Sequence, residues 1–331
     1  MLLYETFKGG IVMKEDFKIL TESQISRLSH EEMVDYYRDL REFLYNSSEK
    51  IKGIEFRKKI HPLLRLLLKA KRILIGQSLE VLSDKSKKTD RPTIYAISHI
   101  GKYDLELVCE AIKDNFYIFC GDPETMYRKF DGYFIELNGV IYVDTESKSD
   151  RHIAKETAVR LLEQGGNLLI YPEGVWNLEP NKPILPLYPG VIEIAYRTNA
   201  TIIPVAIEQY DKEFIVNFGE NFEVGPYFEG QEYSKEKEKI AKDDLRDVLA
   251  TLKWDIWEST GKGNRDCFPD NFYDDFVNKK INEWPHYTKK IIDERVYKNK
   301  NETSYDEVFQ FRKKLKPCKE NAFLLREEKY K

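Results

Sequence analysis

Residues 93–112 read Thr-Ile-Tyr-Ala-Ile-Ser-His-Ile-Gly-Lys-Tyr-Asp-Leu-Glu-Leu-Val-Cys-Glu-Ala-Ile. The run Thr93–Ile97 is β-branched and aromatic and is bounded by Ser98 and Gly101, the pattern of a short buried strand. From Asp104 onward apolar residues recur at helical spacing. His99 therefore stands where a strand ends and Asp104 where a helix begins. In open α/β sheets, ligands bind in the crevice beyond the carboxyl ends of the strands. Two readings of the turn stand level on these residues alone. His99 and Asp104 form a base and its orienting carboxylate, since imidazole takes a proton near neutral pH and a carboxylate on its other nitrogen fixes the tautomer. Alternatively, His99 is a strand-end surface histidine and Asp104 a charge favoured by the helix dipole.

Outward from this turn, strand and helix signals alternate over residues 91–228. Strands are predicted at Thr93–Ile97, Phe116–Phe119, Val140–Val143, Asn167–Tyr171, Ile202–Ile207 and Phe214–Phe218. Between them, Ile153, Thr157, Ala158, Leu161 and Leu162 mark a helix ended by Gly165-Gly166, a C-cap signal. Val191, Ile194, Ala195 and Thr198 mark another. The alternation predicts an α/β fold with a mostly parallel or mixed sheet flanked by helices.

Residues 1–90 read as an N-terminal helical region with amphipathic helices. Thr21-Glu22-Ser23-Gln24 and Ser29-His30-Glu31-Glu32 match the capping box, and helix is expected from about 20 to 56. Over residues 62–75, Arg65, Lys69 and Arg72 fall on one helical face while leucines and isoleucines wrap the rest. That pattern suits either an interfacial helix on an anionic membrane or an ordinary helix packed on the domain with a solvated basic edge. Residues 229–331 read as a helical C-terminal extension serving as scaffold or interaction surface. It holds a stripe of Leu245, Val248, Leu249, Leu252 and Ile256 and a second capping box at Ser304-Tyr305-Asp306-Glu307.

The chain has 331 residues, 41% of them hydrophobic and 33% charged, which suffices for a large core under a polar surface. A formal net charge of −4 makes no electrostatic case for nucleic acid. Cys109, Cys120, Cys267 and Cys318 are far apart, so neither a zinc site nor a disulfide framework is expected, and the usage fits a reducing cytosol. No metal is called for at His99, which has no partner at the His-Glu-x-x-His spacing. No signal peptide is expected, and no stretch approaches the ~18 uncharged apolar residues of a membrane span.

A second strand end carries Leu168-Leu169-Ile170-Tyr171-Pro172-Glu173-Gly174-Val175-Trp176-Asn177. Pro172 and Gly174 shape a turn that presents a carboxylate. Two polar turns at two strand ends of one sheet can line the same crevice.

Across residues 60 to 225 the chain resembles the glycerolipid acyltransferases typified by lysophosphatidate (1-acylglycerol-3-phosphate) acyltransferase. His99 and Asp104 match that family's His-x4-Asp block, and Pro172-Glu173-Gly174 its later Pro-Glu-Gly block. Pro189-Gly190-Val191 opening a helix, Ile203-Pro204-Val205 inside a strand, and Phe218-Gly219 ending one follow in the same order. The resemblance implies acyl transfer from a thioester, acyl-CoA or acyl carrier protein, to a lipid hydroxyl, with no other cofactor. His99 would be the general base and Asp104 its orienter. Backbone N–H groups near Gly101-Lys102 would stabilise the oxyanion. The candidate substrate-binding residues in this chain are Glu173, Gly174 and Trp176, with Lys102, Lys148, Arg151 or Lys182 as neighbouring cations for an acceptor phosphate. The expected partners are the thioester donor, a lysophospholipid acceptor and a membrane surface, with the protein peripheral on its inner, cytoplasmic face.

Two departures concern the acceptor. Where the family carries Thr-Arg after Glu-Gly, this chain has Val175-Trp176, and where it carries Asp-Arg after the middle strand, this chain has Asp144-Thr145. Arginine's fork suits phosphate, and tryptophan cannot replace it electrostatically. The acceptor is thus either lysophosphatidate, held by neighbouring cations, or a molecule without a terminal phosphate (another lysophospholipid, a glycolipid or a polar alcohol); the non-enzymatic alternative is a lipid-binding relative without turnover. In the second case Trp176 stacks on a sugar or lies along an acyl chain.

Overall fold

The computed structural model describes residues 17–122, 124, 127–177, 183–228 and 232–260. Its helices are α1 (Glu22–Ile25), α2 (His30–Ser47), α3 (Ile54–Leu74), α4 (Asp104–Ala111), α5 (Phe130–Asn138), α6 (Lys148–Glu163), α7 (Gly190–Thr198), α8 (Gly225–Phe228) and α9 (Lys235–Thr260). Its strands are β1 (Ser78–Asp84), β2 (Thr93–Ile97), β3 (Tyr117–Gly121), β4 (Val140–Val143), β5 (Leu168–Ile170), β6 (Thr201–Tyr210) and β7 (Glu213–Phe218). They make a mixed sheet in the order β1-β7-β6-β2-β5-β3-β4, flanked by helices, which is the fold class the alternating pattern predicts.

Two expectations change. The helical stretch from 20 to 56 is broken. The Thr21 box starts a single turn and the Ser29 box starts α2, which ends at Ser47, before α3 begins at Ile54 beyond Gly53 at φ +82°. The region up to residue 90 also holds a strand, β1, which pairs with β7 in parallel from Ser78↔Glu213 to Asp84↔Phe218. The sheet therefore begins at residue 78 rather than 91. Of the C-terminal extension, α9 is helical as expected. The Ser304 capping box and both distal cysteines lie outside the described residues, as does Lys182.

The chain divides into two compact units, residues up to 64 with 114–169, and residues 65–113 with those from 170 onward. In the first, β3 and β4 pair in parallel from Ile118↔Val140 to Gly121↔Val143. Helix α6 starts on Ser147, whose hydroxyl accepts from the Asp150 N–H, and ends at Glu163, with Gln164 as C-cap and Gly165, φ +80°, directly after it at the expected stop signal. Helix α2 is held at the carboxyl ends of β3 and β4 by two arginines. Arg41 donates to Asp122 at 2.8 Å and Asp150 at 2.9 Å, and Arg38 donates to Asp144 at 2.9 Å. Burial works against the Arg41 charge, but its hydrogen bond to Asp150 and the charges of Asp122 and Asp150 hold its pKa above the ordinary value.

In the second unit β6 is central, parallel to β2 from Thr201 to Val205 and antiparallel to β7 from Val205 to Tyr210. Pro204, which has no N–H to offer a ladder, sits one residue before the antiparallel ladder starts. Its carbonyl still accepts from the Gly219 N–H at 2.9 Å. Helix α9 covers β6 and β7 with its buried Leu245, Leu249, Leu252 and Ile256, which follow the predicted stripe. Leu252 and Ile256 close a core cluster with Ala206 and Ile215.

The Arg41 cluster yields a stability prediction. Arg41→Met leaves Asp122 and Asp150 buried without their cation, and removing one partner of such a pair costs about 3–5 kcal/mol. Urea unfolding of the variant is expected to show that loss, and a change inside the error of the extrapolation would refute the role given to Arg41.

Candidate active site

Strand β2 is buried along its whole length and stops at Ser98. The next five residues turn tightly, because Asp104 reaches back across them. Its Oδ2 accepts from the Ile100 N–H at 2.5 Å, from the Gly101 N–H at 2.9 Å and from His99 Nδ1 at 2.8 Å. The two backbone N–H groups can only donate, so this oxygen acts as an acceptor and Nδ1 carries the proton toward it. The lone pair of the ring is then on Nε2. Asp104 is fully buried, and the His99 side chain retains 20% of its exposure. The structure therefore decides the level choice left by the sequence: Asp104 is no solvated helix-end charge but the hydrogen-bonding partner of His99.

The same geometry removes one of the expected oxyanion donors. The Gly101 N–H points at Asp104 and is not offered to a ligand. Lys102 remains the cation of the turn, its Nζ standing 5.6 Å from the centroid of the Tyr103 ring.

Glu173, from the turn after β5, is 2% exposed, and both of its oxygens accept backbone donors. Oε1 takes the His99 N–H at 2.9 Å and Oε2 takes the Leu185 N–H at 2.7 Å. The carboxylate expected at the substrate is thus a brace of the histidine's own backbone. Gly174 is required by conformation and space. Its φ is +70°, and a Cβ there would stand 2.5 Å from the Tyr188 ring. On the other side of the histidine, the Asn177 N–H donates to the His99 carbonyl at 2.6 Å.

Aromatic rings fix the imidazole plane. Tyr171 stacks on His99 with centroids 4.0 Å apart and planes at 20°, and Trp176 meets it edge-on at 6.1 Å. Trp176 is buried, which places it as a wall of the site. In the sequence Tyr171 and Asn177 have only strand and turn character, and the folded contacts reveal that they touch His99. Lys148 and Arg151 belong to the first unit. Lys148 is exposed at the start of α6, and Arg151 donates to the Thr145 carbonyl.

Comparison with known proteins bears on this arrangement. Residues 78–208 match the protein-family model described as Acyltransferase. An uncharacterized acyltransferase of Schizosaccharomyces pombe is 20% identical over 136 residues, which are 41% of this chain and 48% of that protein. The chain thus spans about half the length of the curated relative it matches. The crystal structure of the 1-acyl-sn-glycerophosphate (LPA) acyltransferase PlsC from Thermotoga maritima aligns with a TM-score of 0.47 at 15% identity, covering 66% of this chain and 89% of that one.

The brace is open to measurement. Glu173→Gln offers an N–H₂ to one of the two backbone donors it now accepts, a loss of about 1–3 kcal/mol for a buried group left unsatisfied. Amide exchange at His99 or Leu185 should accelerate, and unchanged protection at both would rule the brace out. The block that holds His99, Asp104 and Glu173 lies within residues 78–208, the stretch that matches the Acyltransferase family model.

Proposed function

We propose that this protein transfers an acyl group from a thioester, acyl-CoA or acyl carrier protein, to the hydroxyl of a lysolipid. The observation that carries this reading is the His99–Asp104 pair, with Nδ1 committed to the carboxylate and Nε2 left for a substrate, inside the stretch that matches the Acyltransferase family model. The acceptor hydroxyl attacks the thioester carbonyl while Nε2 takes its proton. The tetrahedral intermediate then expels the thiolate, and the imidazolium returns the proton to that sulfur. Asp104 stabilises the imidazolium, and the Tyr171 face stacked on the ring adds cation–π stabilisation to the protonated form. No covalent acyl-enzyme is required.

1-Acylglycerol-3-phosphate is the first acceptor to test, because the resemblance points to it. An acceptor without a terminal phosphate is the second, favoured by Val175 and Trp176 at the position of the family's Thr-Arg pair and by the burial of both side chains. The assay follows thiol release from acyl-CoA with a panel of acceptors. His99→Ala is expected to lower turnover by about 10²–10⁴-fold, the usual contribution of a positioned base. Equal rates for His99→Ala and the parent with every acceptor would refute the reading. Turnover with phosphate-free acceptors alone would refute only the lysophosphatidate assignment.

The membrane contact we propose differs from the basic face read in the sequence. No helix among the described residues is long and apolar enough to cross a membrane. On α3, Arg72 turns inward to hold Glu110 with two bonds, at 2.7 and 2.9 Å, and Lys71 holds Glu106 at 2.7 Å. What faces outward is an apolar stripe of Leu63, Leu66, Leu67, Ala70 and Leu74, at i, i+3, i+4, i+7 and i+11, with Leu74 85% exposed. A stripe of this spacing lies along an acyl-chain boundary and brings the acceptor lipid to a peripheral enzyme at the cytoplasmic face of the membrane. Burying a leucine is worth about 1.5–3 kcal/mol. The variant Leu66→Ser, Leu67→Ser, Leu74→Ser is therefore expected to lose at least about tenfold in partition to phosphatidylglycerol-containing vesicles. Co-flotation equal to the parent's would exclude the stripe as the contact.

A further inference from the structure

Behind the catalytic turn, on the side of the sheet that α9 covers, lies a charged network with almost no exposure. Lys253 of α9 is 1% exposed, and its ammonium donates to the Ile207 carbonyl of β6 and stands 3.3 Å from Glu208 Oε2. The same carboxylate oxygen accepts from Trp257 Nε1 at 2.7 Å, and Oε1 accepts from the Gln209 N–H at 2.9 Å. Ser98, the residue before His99, reaches the same stretch of β6. Its hydroxyl accepts from the Ile207 N–H at 2.9 Å and lies 3.4 Å from the Ile207 carbonyl oxygen, the atom Lys253 holds. Lys253 and Ser98 therefore share one peptide carbonyl, and Ser98 is covalently joined to His99.

The apolar stripe of α9 already packs that helix on β6 and β7. A fully buried ammonium is an expensive way to add to such packing, since two apolar residues of similar volume serve stability as well or better. What a paired charge adds is a defined register of α9 against Ile207, because ammonium and carboxylate must both meet their partners. We infer that Lys253, held by Glu208 and Trp257, is a positioning residue that sets Ser98, and through it the His99 backbone, for acyl transfer. The inference rests on the proposed role of His99. It makes α9 a working part of the catalytic turn, with Glu173 and Asn177 fixing the histidine backbone from one side and the Lys253–Ser98 link fixing the strand end behind it.

The test uses the full chain and two readouts. In the paired variant Lys253→Met/Glu208→Gln no unpaired charge is left buried, so the core can close. Its kcat is expected to fall about tenfold or more, as a small misplacement of a reacting group does, with KM for the donor within about twofold of the parent's. Ser98→Ala should reduce kcat as well, and the triple variant should fall no lower than the worse of the two, because both act through one link. Independently of turnover, the His99 imidazole resonance, assigned by its loss in His99→Gln, should shift its proton NMR titration in both variants. Additive losses in kcat, or a His99 titration unmoved by both variants, would overturn the proposal. If the paired variant does not fold, an unmoved titration in Ser98→Ala alone overturns it. A parent protein that turns over no acceptor defeats the acyl-transfer reading instead, and the titration still decides this one.

Discussion

A carboxylate with no exposure at all must find its hydrogen bonds inside the protein, and Asp104 finds three of them on one oxygen. That requirement shapes the turn from Ser98 to Asp104. To reach the Ile100 and Gly101 N–H groups the chain must fold back over the start of α4, and in doing so it brings His99 Nδ1 to the same oxygen. The other oxygen, Oδ1, is buried without a hydrogen-bond partner among the described residues. The hydration lost on burial is thus offset on one side only, a cost that an ordinary surface turn would not carry. The order of dependence matters: the backbone bonds place the carboxylate, and the carboxylate then orients the imidazole.

The same device recurs through the described residues. Glu173 is buried and braces two backbone N–H groups; Glu208 and Lys253 are buried and fix α9 on β6; Arg41 is half-wrapped by two aspartates and fixes α2 on the ends of β3 and β4. In each case apolar packing supplies the attraction between elements, while the buried charge selects one register. Apolar surfaces tolerate sliding because dispersion contacts are interchangeable, whereas a desolvated charge displaced from its partner is costly. A site that needs an imidazole held on its backbone, its ring nitrogen and its ring face is served by such locators.

Much of this was legible locally. β2 and β4 have the predicted bounds, the Ser29 capping box starts α2, Gly165 follows the end of α6, and the α9 stripe is buried where its period says. Each of these depends on neighbours within a turn or two. β1 was not legible. Its residues Ser-Leu-Glu-Val-Leu-Ser-Asp form a half-exposed edge strand with few apolar positions, and its partner β7 lies far along the chain. α5 likewise gave too short an apolar stripe to be read. In the site, His99, Asp104 and the Glu173 turn were visible as a pattern of residue types. Tyr171, Asn177, Ser98 and Lys253 carried no such signal, because their roles come from contacts across many intervening residues.

By itself, then, the sequence determined the alternation of strands and helices, the position of a histidine and two carboxylates at strand ends, and the resemblance that joins them. These follow from periodicity and turn chemistry, which are properties of short stretches. Tertiary structure alone decided that Asp104 faces His99 rather than water, that Glu173 holds backbone, that Arg72 turns inward and leaves leucines outside, and that Lys253 of α9 meets the Ile207 carbonyl that Ser98 also approaches. The physical reason is common to all four. A charged side chain goes where its desolvation is best offset, and the partners that offset it are assembled only when distant segments pack.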